Sequence, residues 1–333
     1  MNDIVAAAVE LPDWAKSAIN VASPRLGTQA ISCSDDSFAS MARMLNDAPA
    51  VFKPDVYDDF GKWMDGWESK RRRDGGHDWC VVKLGARSTI TGFDIDTSHF
   101  TGNYAPAASV WGADCENEPG EGDWFEVLPS ADLGASAHHF ALSDSDKPCR
   151  WLRLNMYPDG GIARFRAYGE PVVDLVPGET VELSALKNGG RVLDYNDAHY
   201  GDVWAILAEG RGANMGDGWE TRRRRTPGND WLIVKLAAPG TIEKVEVDTA
   251  HFKGNFPDQF SLQGALVEWG TDTSATVQAM FWPEIMGRKK LQADYIHTYT
   301  GEDLISNGPV SHVKLNIYPD GGVSRLRIWG KPQ

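Results

Sequence analysis

Apolar and polar residues alternate with a period of two along Thr89-Ile90-Thr91-Gly92-Phe93-Asp94-Ile95-Asp96, and again along Thr241-Ile242-Glu243-Lys244-Val245-Glu246-Val247-Asp248. That is the pattern of a strand with one buried face. Ahead of each lies a run of β-branched and aromatic residues, Asp78-Trp79-Cys80-Val81-Val82-Lys83-Leu84 and Asp230-Trp231-Leu232-Ile233-Val234-Lys235-Leu236, which reads as a core strand closed by Gly85 or by Pro239-Gly240. Further upstream the period changes. Phe38, Met41, Ala42 and Leu45 stand at i, i+3, i+4 and i+7 behind the capping candidates Ser34 and Asp35, and Tyr200, Val203, Trp204 and Leu207 repeat the spacing behind Asn196-Asp197, so each half is predicted to open with a short helix. Each half closes on two short strands around a Pro-Asp-Gly-Gly turn, residues 151–157 and 162–169 in the first, which predicts a hairpin.

The polar words between these elements occur twice. Asp65-Gly66-Trp67-Glu68-Ser69-Lys70-Arg71-Arg72-Arg73 returns 152 residues later as Asp217-Gly218-Trp219-Glu220-Thr221-Arg222-Arg223-Arg224-Arg225. Asp96-Thr97-Ser98-His99-Phe100-Thr101-Gly102-Asn103 returns at the same offset as Asp248-Thr249-Ala250-His251-Phe252-Lys253-Gly254-Asn255. Asn155-Met156-Tyr157-Pro158-Asp159-Gly160-Gly161 returns 161 residues later as Asn316-Ile317-Tyr318-Pro319-Asp320-Gly321-Gly322, so the second copy carries a net insertion of nine residues, expected between Glu268 and Gly308. The chain is an internal duplication. The Pro- and Gly-rich stretch from Gly169 to Glu179 is its seam, dividing residues 1–172 from 173–333. Short strands punctuated by turns predict an all-β protein of two repeated β-sandwich domains.

Charge and cysteine usage narrow the function. A net charge of −14 argues against nucleic acid or an anionic membrane as a partner despite the arginine runs, and no apolar run is long enough to cross a bilayer. Cys33, Cys80, Cys115 and Cys149 all fall in the first half with no counterparts in the second, so they read as free thiols. The first ten residues lack a basic and apolar leader pattern, and a cytoplasmic protein is expected.

The candidate chemistry lies in the doubled words. An arginine run before a strand is ordinarily solvated charge. Here it is kept in both copies beside a glutamate, and a guanidinium reads a planar carboxylate bidentately. Arg71 and Arg72, with Arg223 and Arg224, are the anion-binding candidates. Glu68 and Glu220, His99 and His251, and Asp96 and Asp248 are candidates for proton transfer. Asn103, Asn255, Asp159 and Asp320 are candidates for orienting a ligand rich in hydrogen-bonding groups. One Asp and one His per copy, three residues apart in an extended chain, are too few to support a metal site, so no cofactor is expected and a divalent cation has no support from the spacing. Trp67 and Trp219 read as loop anchors, and Arg164, Arg166, Arg325 and Arg327 as structural ion-pair partners.

These three words together, with Ser34-Asp35-Asp36-Ser37-Phe38, resemble the allantoicase family from about Arg25 to Gly330. The resemblance implies galactose-binding-like jelly rolls, hydrolysis of allantoate to ureidoglycolate and urea, a small ureide as the only partner besides further copies of the chain in a homo-oligomer, and the polar residues named above as the site. Two rivals stay open on the residues alone: a non-catalytic tandem module for small carbohydrate-like ligands, and a hydrolase of ureidoglycolate.

Overall fold

A computed structural model describes residues 3–16, 18–305 and 308–333. The chain divides into two compact units, Met1–Val172 and Val173–Gln333. Each is a β-sandwich organised by one 19-residue ribbon, Asp78–Asp96 in the first and Asp230–Asp248 in the second.

In unit 1 the start of the ribbon lies between Gln29–Cys33 and Pro148–Tyr157, and its end lies between His138–Leu142 and Arg164–Pro171. Ala107–Ala113 and Phe125–Asp132 extend the first sheet beyond Pro148–Tyr157. Asp78 pairs with Met156 while Asp96 pairs with Arg164, only eight residues further along the chain. Eight residues reach at most roughly 28 Å, whereas a straight 19-residue strand would measure about 60 Å. The ribbon therefore doubles back, and both its ends return to the same rim of the sandwich. Between the layers lie Val82, Phe93, Ile95, Val110, Leu152, Leu154 and Phe165, all fully buried.

Three expectations change here. Gly85 and Pro239-Gly240 do not end a strand; the ribbon runs on through both. At Gly85 it passes beneath the turn Pro24–Leu26, where an added Cβ would stand 1.8 Å from the Leu26 carbonyl oxygen, so only glycine permits the approach. The terminal strands are not a hairpin either. Pro148–Tyr157 and Arg164–Pro171 each pair with the ribbon and not with one another, so the Pro-Asp-Gly-Gly segment carries the chain across the rim. The opening helix shortens to one 3₁₀ turn, Met41–Leu45, or Val203–Leu207 in unit 2. Ala39 and Tyr200 are held extended by bridges to Glu68 and Glu220, which delays the turn. In unit 2 Asp202 then caps it, accepting from the Trp204 amide at 3.1 Å.

Unit 2 repeats the plan with Arg191–Tyr195, Gln259–Ala265, Glu284–Lys290, Ile296–Thr300, Val310–Tyr318 and Arg325–Pro332. The helix Asp272–Gln278, with Thr271 as its cap, falls inside the stretch where the sequence places the insertion.

Candidate active site

Because both ends of the ribbon reach one rim, three loops distant in sequence meet there. In unit 1 Trp67–Glu68 pairs with Gly161–Ile162, and Tyr104 bridges to Gly161. Trp67 is fully buried, and its indole N–H donates to the Asp35 carbonyl at 2.8 Å. Gly161 lies flat on the ring of Phe100, where a Cβ would approach to 2.1 Å, and Gly322 does the same over Phe252 at 2.0 Å. The phenylalanine after each histidine is thus the floor on which the turn rests. Above it opens a cavity of about 540 Å³ whose walls include Phe38, Glu68, Arg71, Asn103, Tyr104 and Asp159.

Glu68 Oε1 accepts from Asn103 Nδ2 at 2.7 Å. Burial pushes its pKa above the ordinary glutamate value, and the Asn103 hydrogen bond opposes the shift without cancelling it. No arginine pairs with it among the described residues. The arginine run divides its labour. Arg72 donates its backbone N–H to Asp159 Oδ2 at 2.7 Å, and its guanidinium is taken by Asp74 at 2.7 Å and Asp78 at 2.7 Å. It is a brace between loops, and Asp159 is the other half of that brace. Arg71, exposed on the cavity wall, has no ion pair or hydrogen bond with any described residue. Both border the cavity, and the split comes from the aspartates that reach Arg72 alone.

Unit 2 reproduces the arrangement. Asn255 Nδ2 donates to Glu220 Oε1, Asp320 Oδ2 accepts from the Arg224 amide at 2.8 Å, and Arg224 Nη1 reaches Asp230 at 2.6 Å, leaving Arg223 exposed. Glu220 is only 9% exposed.

The remaining proton-transfer candidates are placed elsewhere. His99 and His251 adopt φ of 68° and 70°, the left-handed region that few non-glycine residues occupy. Their Nε2 atoms face the carbonyls of Ala50 at 3.2 Å and Gly212 at 2.6 Å, so these rings donate to the backbone and pin a loop. Asp96 and Asp248 accept from the amides of Ser98 at 2.7 Å and Ala250 at 2.8 Å, closing the turn that sets the histidine conformation. Neither pair lines the Glu68 cavity. No group of three or more His, Cys, Asp or Glu among the described residues is placed to hold a metal ion.

Asp96 belongs instead to a buried ionic cluster. His138 Nδ1 lies 2.9 Å from Asp94 and its Nε2 3.6 Å from Asp96, with Arg166 Nη1 3.2 Å from Asp94. The Asp94 hydrogen bond holds the His138 pKa above its ordinary value of about 6.5. A raised folded value stabilises the protonated form, so this contribution is complete below about pH 6.5 and fades as pH climbs through the raised value. Thermal midpoints of the wild type should fall over that interval, and His138→Gln should flatten the decline. Equal slopes in the two proteins would dissociate His138 from it. In unit 2 Ile296 stands opposite Asp248, where His138 stands opposite Asp96, and the device is absent.

Sequence reasoning missed two features. Phe38 and Tyr104 border the cavity, whereas the spacing of Phe38 assigns it to a helix face and nothing marks Tyr104 as a wall. Asp65 is the counter-ion of the fully buried Arg164, at 2.6 Å, as Asp217 is of Arg325 at 2.9 Å. That signal was present, since Asp65 is the first letter of a word repeated as Asp217.

Fold and site define a protein of two jelly-roll β-sandwiches whose rim loops build a pocket with an acid, an amide and a cation. The sequence profile of the allantoicase repeat matches residues 19–172 and again 181–333. Similar proteins are a probable allantoicase 1 of Burkholderia mallei, 54% identical over 96% of each chain, and a probable allantoicase of Acinetobacter baumannii, 47% identical over 99% of each. A crystal structure of allantoicase from Saccharomyces cerevisiae superposes with a TM-score of 0.79 at 37% identity, covering 95% of this chain and 94% of that one. The chain belongs to the allantoicase family.

Proposed function

We propose that this protein hydrolyses allantoate to ureidoglycolate and urea, and that the rim cavity of unit 1 is where it does so. The observation that carries the siting is the half-buried Glu68, with no arginine partner among the described residues, sharing a cavity of about 540 Å³ with Arg71, whose guanidinium has no partner among the described residues either. Arg71 reads the substrate carboxylate. Asn103, which borders the same cavity, offers the ureido arms a hydrogen-bonding amide.

The reaction forms a C–O bond from water to the central carbon, breaks one C–N bond there, and moves one proton from that water to the departing nitrogen. A single carboxylate between the two positions can accept the proton and deliver it. Glu68 is suited to this because its raised pKa makes its carboxylate a stronger base than that of an exposed glutamate. Water and amide dipoles at a carboxylate in a partly dry pocket act more strongly than in bulk solvent.

Purified protein supplied separately with allantoate and ureidoglycolate tests the reading. Urea from allantoate alone is expected; urea from ureidoglycolate, or from neither, would overturn it. Assembly into a homo-oligomer is part of the same reading and is supported by Trp269 and Phe281, 84% and 81% exposed in the single chain. Light scattering that returned the mass of one chain would remove that part.

A further inference from the structure

The two arginine loops have the same length and the same brace, yet they differ in one carboxylate. In unit 1 Asp74 fills a cradle of three donors: Arg72 Nε at 2.7 Å, Arg72 Nη2 at 3.1 Å and the Gly76 amide at 3.0 Å. In unit 2 the corresponding residues are Arg224, Gly228 and, in place of Asp74, Thr226. Arg224 keeps its bond to Asp230, and Gly228 still closes over the same edge of the guanidinium, where a Cβ would stand 3.0 Å from Nη2 and 3.3 Å from Nε. The Nε atom is buried and has no hydrogen-bond partner. An unmet donor of a charged group in such a place is costly, and native structures leave few of them.

The surrounding charge has changed in the same direction. Near Lys70, Arg71, Arg72 and Arg73 the first copy carries Asp35, Asp36, Asp74 and Asp78, of which Asp35 pairs with Lys70 and Asp74 and Asp78 with Arg72. At the corresponding positions the second copy keeps Asp197 and Asp230, which pair with Arg222 and Arg224, but has Ala198 and Thr226 where the first has Asp36 and Asp74. Arg225 and Arg223 are exposed and without ion pairs among the described residues.

We propose that the arginine loop of unit 2 is a binding site for an external oxyanion, a carboxylate or a phosphate group, which takes the place that the Asp74 side chain occupies in unit 1. In unit 1 the Asp74 side of the loop opens on Ser34, Asp35 and Asp78, which do not line the Glu68 cavity, while Arg71 and Arg72 border both; the cradle edge of the guanidinium thus adjoins the substrate pocket, and the proposal does not depend on the catalytic reading. The internal aspartate of unit 1 shows what the cradle accepts: a planar oxyanion received side-on by Nε and Nη2.

Titration calorimetry with inorganic phosphate, against chloride at equal ionic strength, tests this. The wild type should bind phosphate, Thr226→Asp should lose at least about tenfold in affinity because the cradle is filled from within, and Asp74→Thr should gain a second site. Arg71→Ala separates the alternatives, since it removes the free cation of the substrate cavity and should leave phosphate binding intact. Binding that survives Thr226→Asp but disappears in Arg71→Ala would overturn the proposal, as would a wild type that distinguishes phosphate from chloride not at all. Thr226→Asp should leave the turnover of allantoate unchanged, and acetate competing with phosphate identifies carboxylates as ligands of the same cradle.

Discussion

Replacing Glu68 with Gln should lower kcat for allantoate by about 10²–10⁴-fold with a much smaller change in KM, the range that loss of a general acid–base group produces. The amide keeps the size of the side chain and can still receive the Asn103 hydrogen bond, so the loss isolates proton transfer from packing. Glu220→Gln, made at the more deeply buried glutamate of the second copy, should retain most of the activity. Equal losses from the two variants would remove the assignment of turnover to unit 1, and full activity in Glu68→Gln would remove the role of the glutamate. The pH profile gives a companion result. Glu68 must be ionised to act as a base, and its pKa is raised, so the acid limb of kcat/KM should lie above the ordinary glutamate range of about 4.3. Asn103 donates to the charged form, so Asn103→Ala leaves desolvation unopposed and should move that limb further up in pH. A limb that moves down would contradict the hydrogen-bonding argument.

The second large effect is on folding. Asp65→Ala strips the counter-charge from Arg164, which is wholly buried and also donates to the carbonyls of Ala48 at 2.8 Å and Asp65 at 3.0 Å. Removing one member of a buried pair leaves an uncompensated charge, and the expected cost is about 3–5 kcal/mol. Asp65 Oδ2 also accepts from the Val51 amide at 2.8 Å, so the segment leading to Gly66-Trp67-Glu68 loses an anchor as well. The thermal midpoint should fall by roughly 10 °C for a unit of this size. Replacing the two partners together, Asp65→Leu with Arg164→Met, should cost less than Asp65→Ala alone, because no charge is then stranded. A loss below about 1 kcal/mol in Asp65→Ala would show that solvent reaches Arg164 and compensates it.

The contrast between Arg71 and Arg72 shows how far local pattern carries. Both belong to the repeated word, both are cations, and both border the Glu68 cavity. Which of the two is consumed depends on Asp74, Asp78 and Asp159, the last of them 87 residues away along the chain. The histidines make the same point from the other side. His99 and His251 are doubled, polar and at the end of a strand, yet each ring ends on a backbone carbonyl, because its positive φ turns the side chain away from the cavity that Asn103 enters four residues later.

Read alone, the sequence determines the duplication, the all-β character, the family and the list of polar words, because periodicity and repetition are properties of neighbours in the chain. Which letters of those words share a cavity was decided only by tertiary structure. The ribbon doubles back and brings its two ends to one rim, and the burial of Glu68, the occupation of Arg72 and the freedom of Arg71 follow from contacts between segments that no local pattern connects.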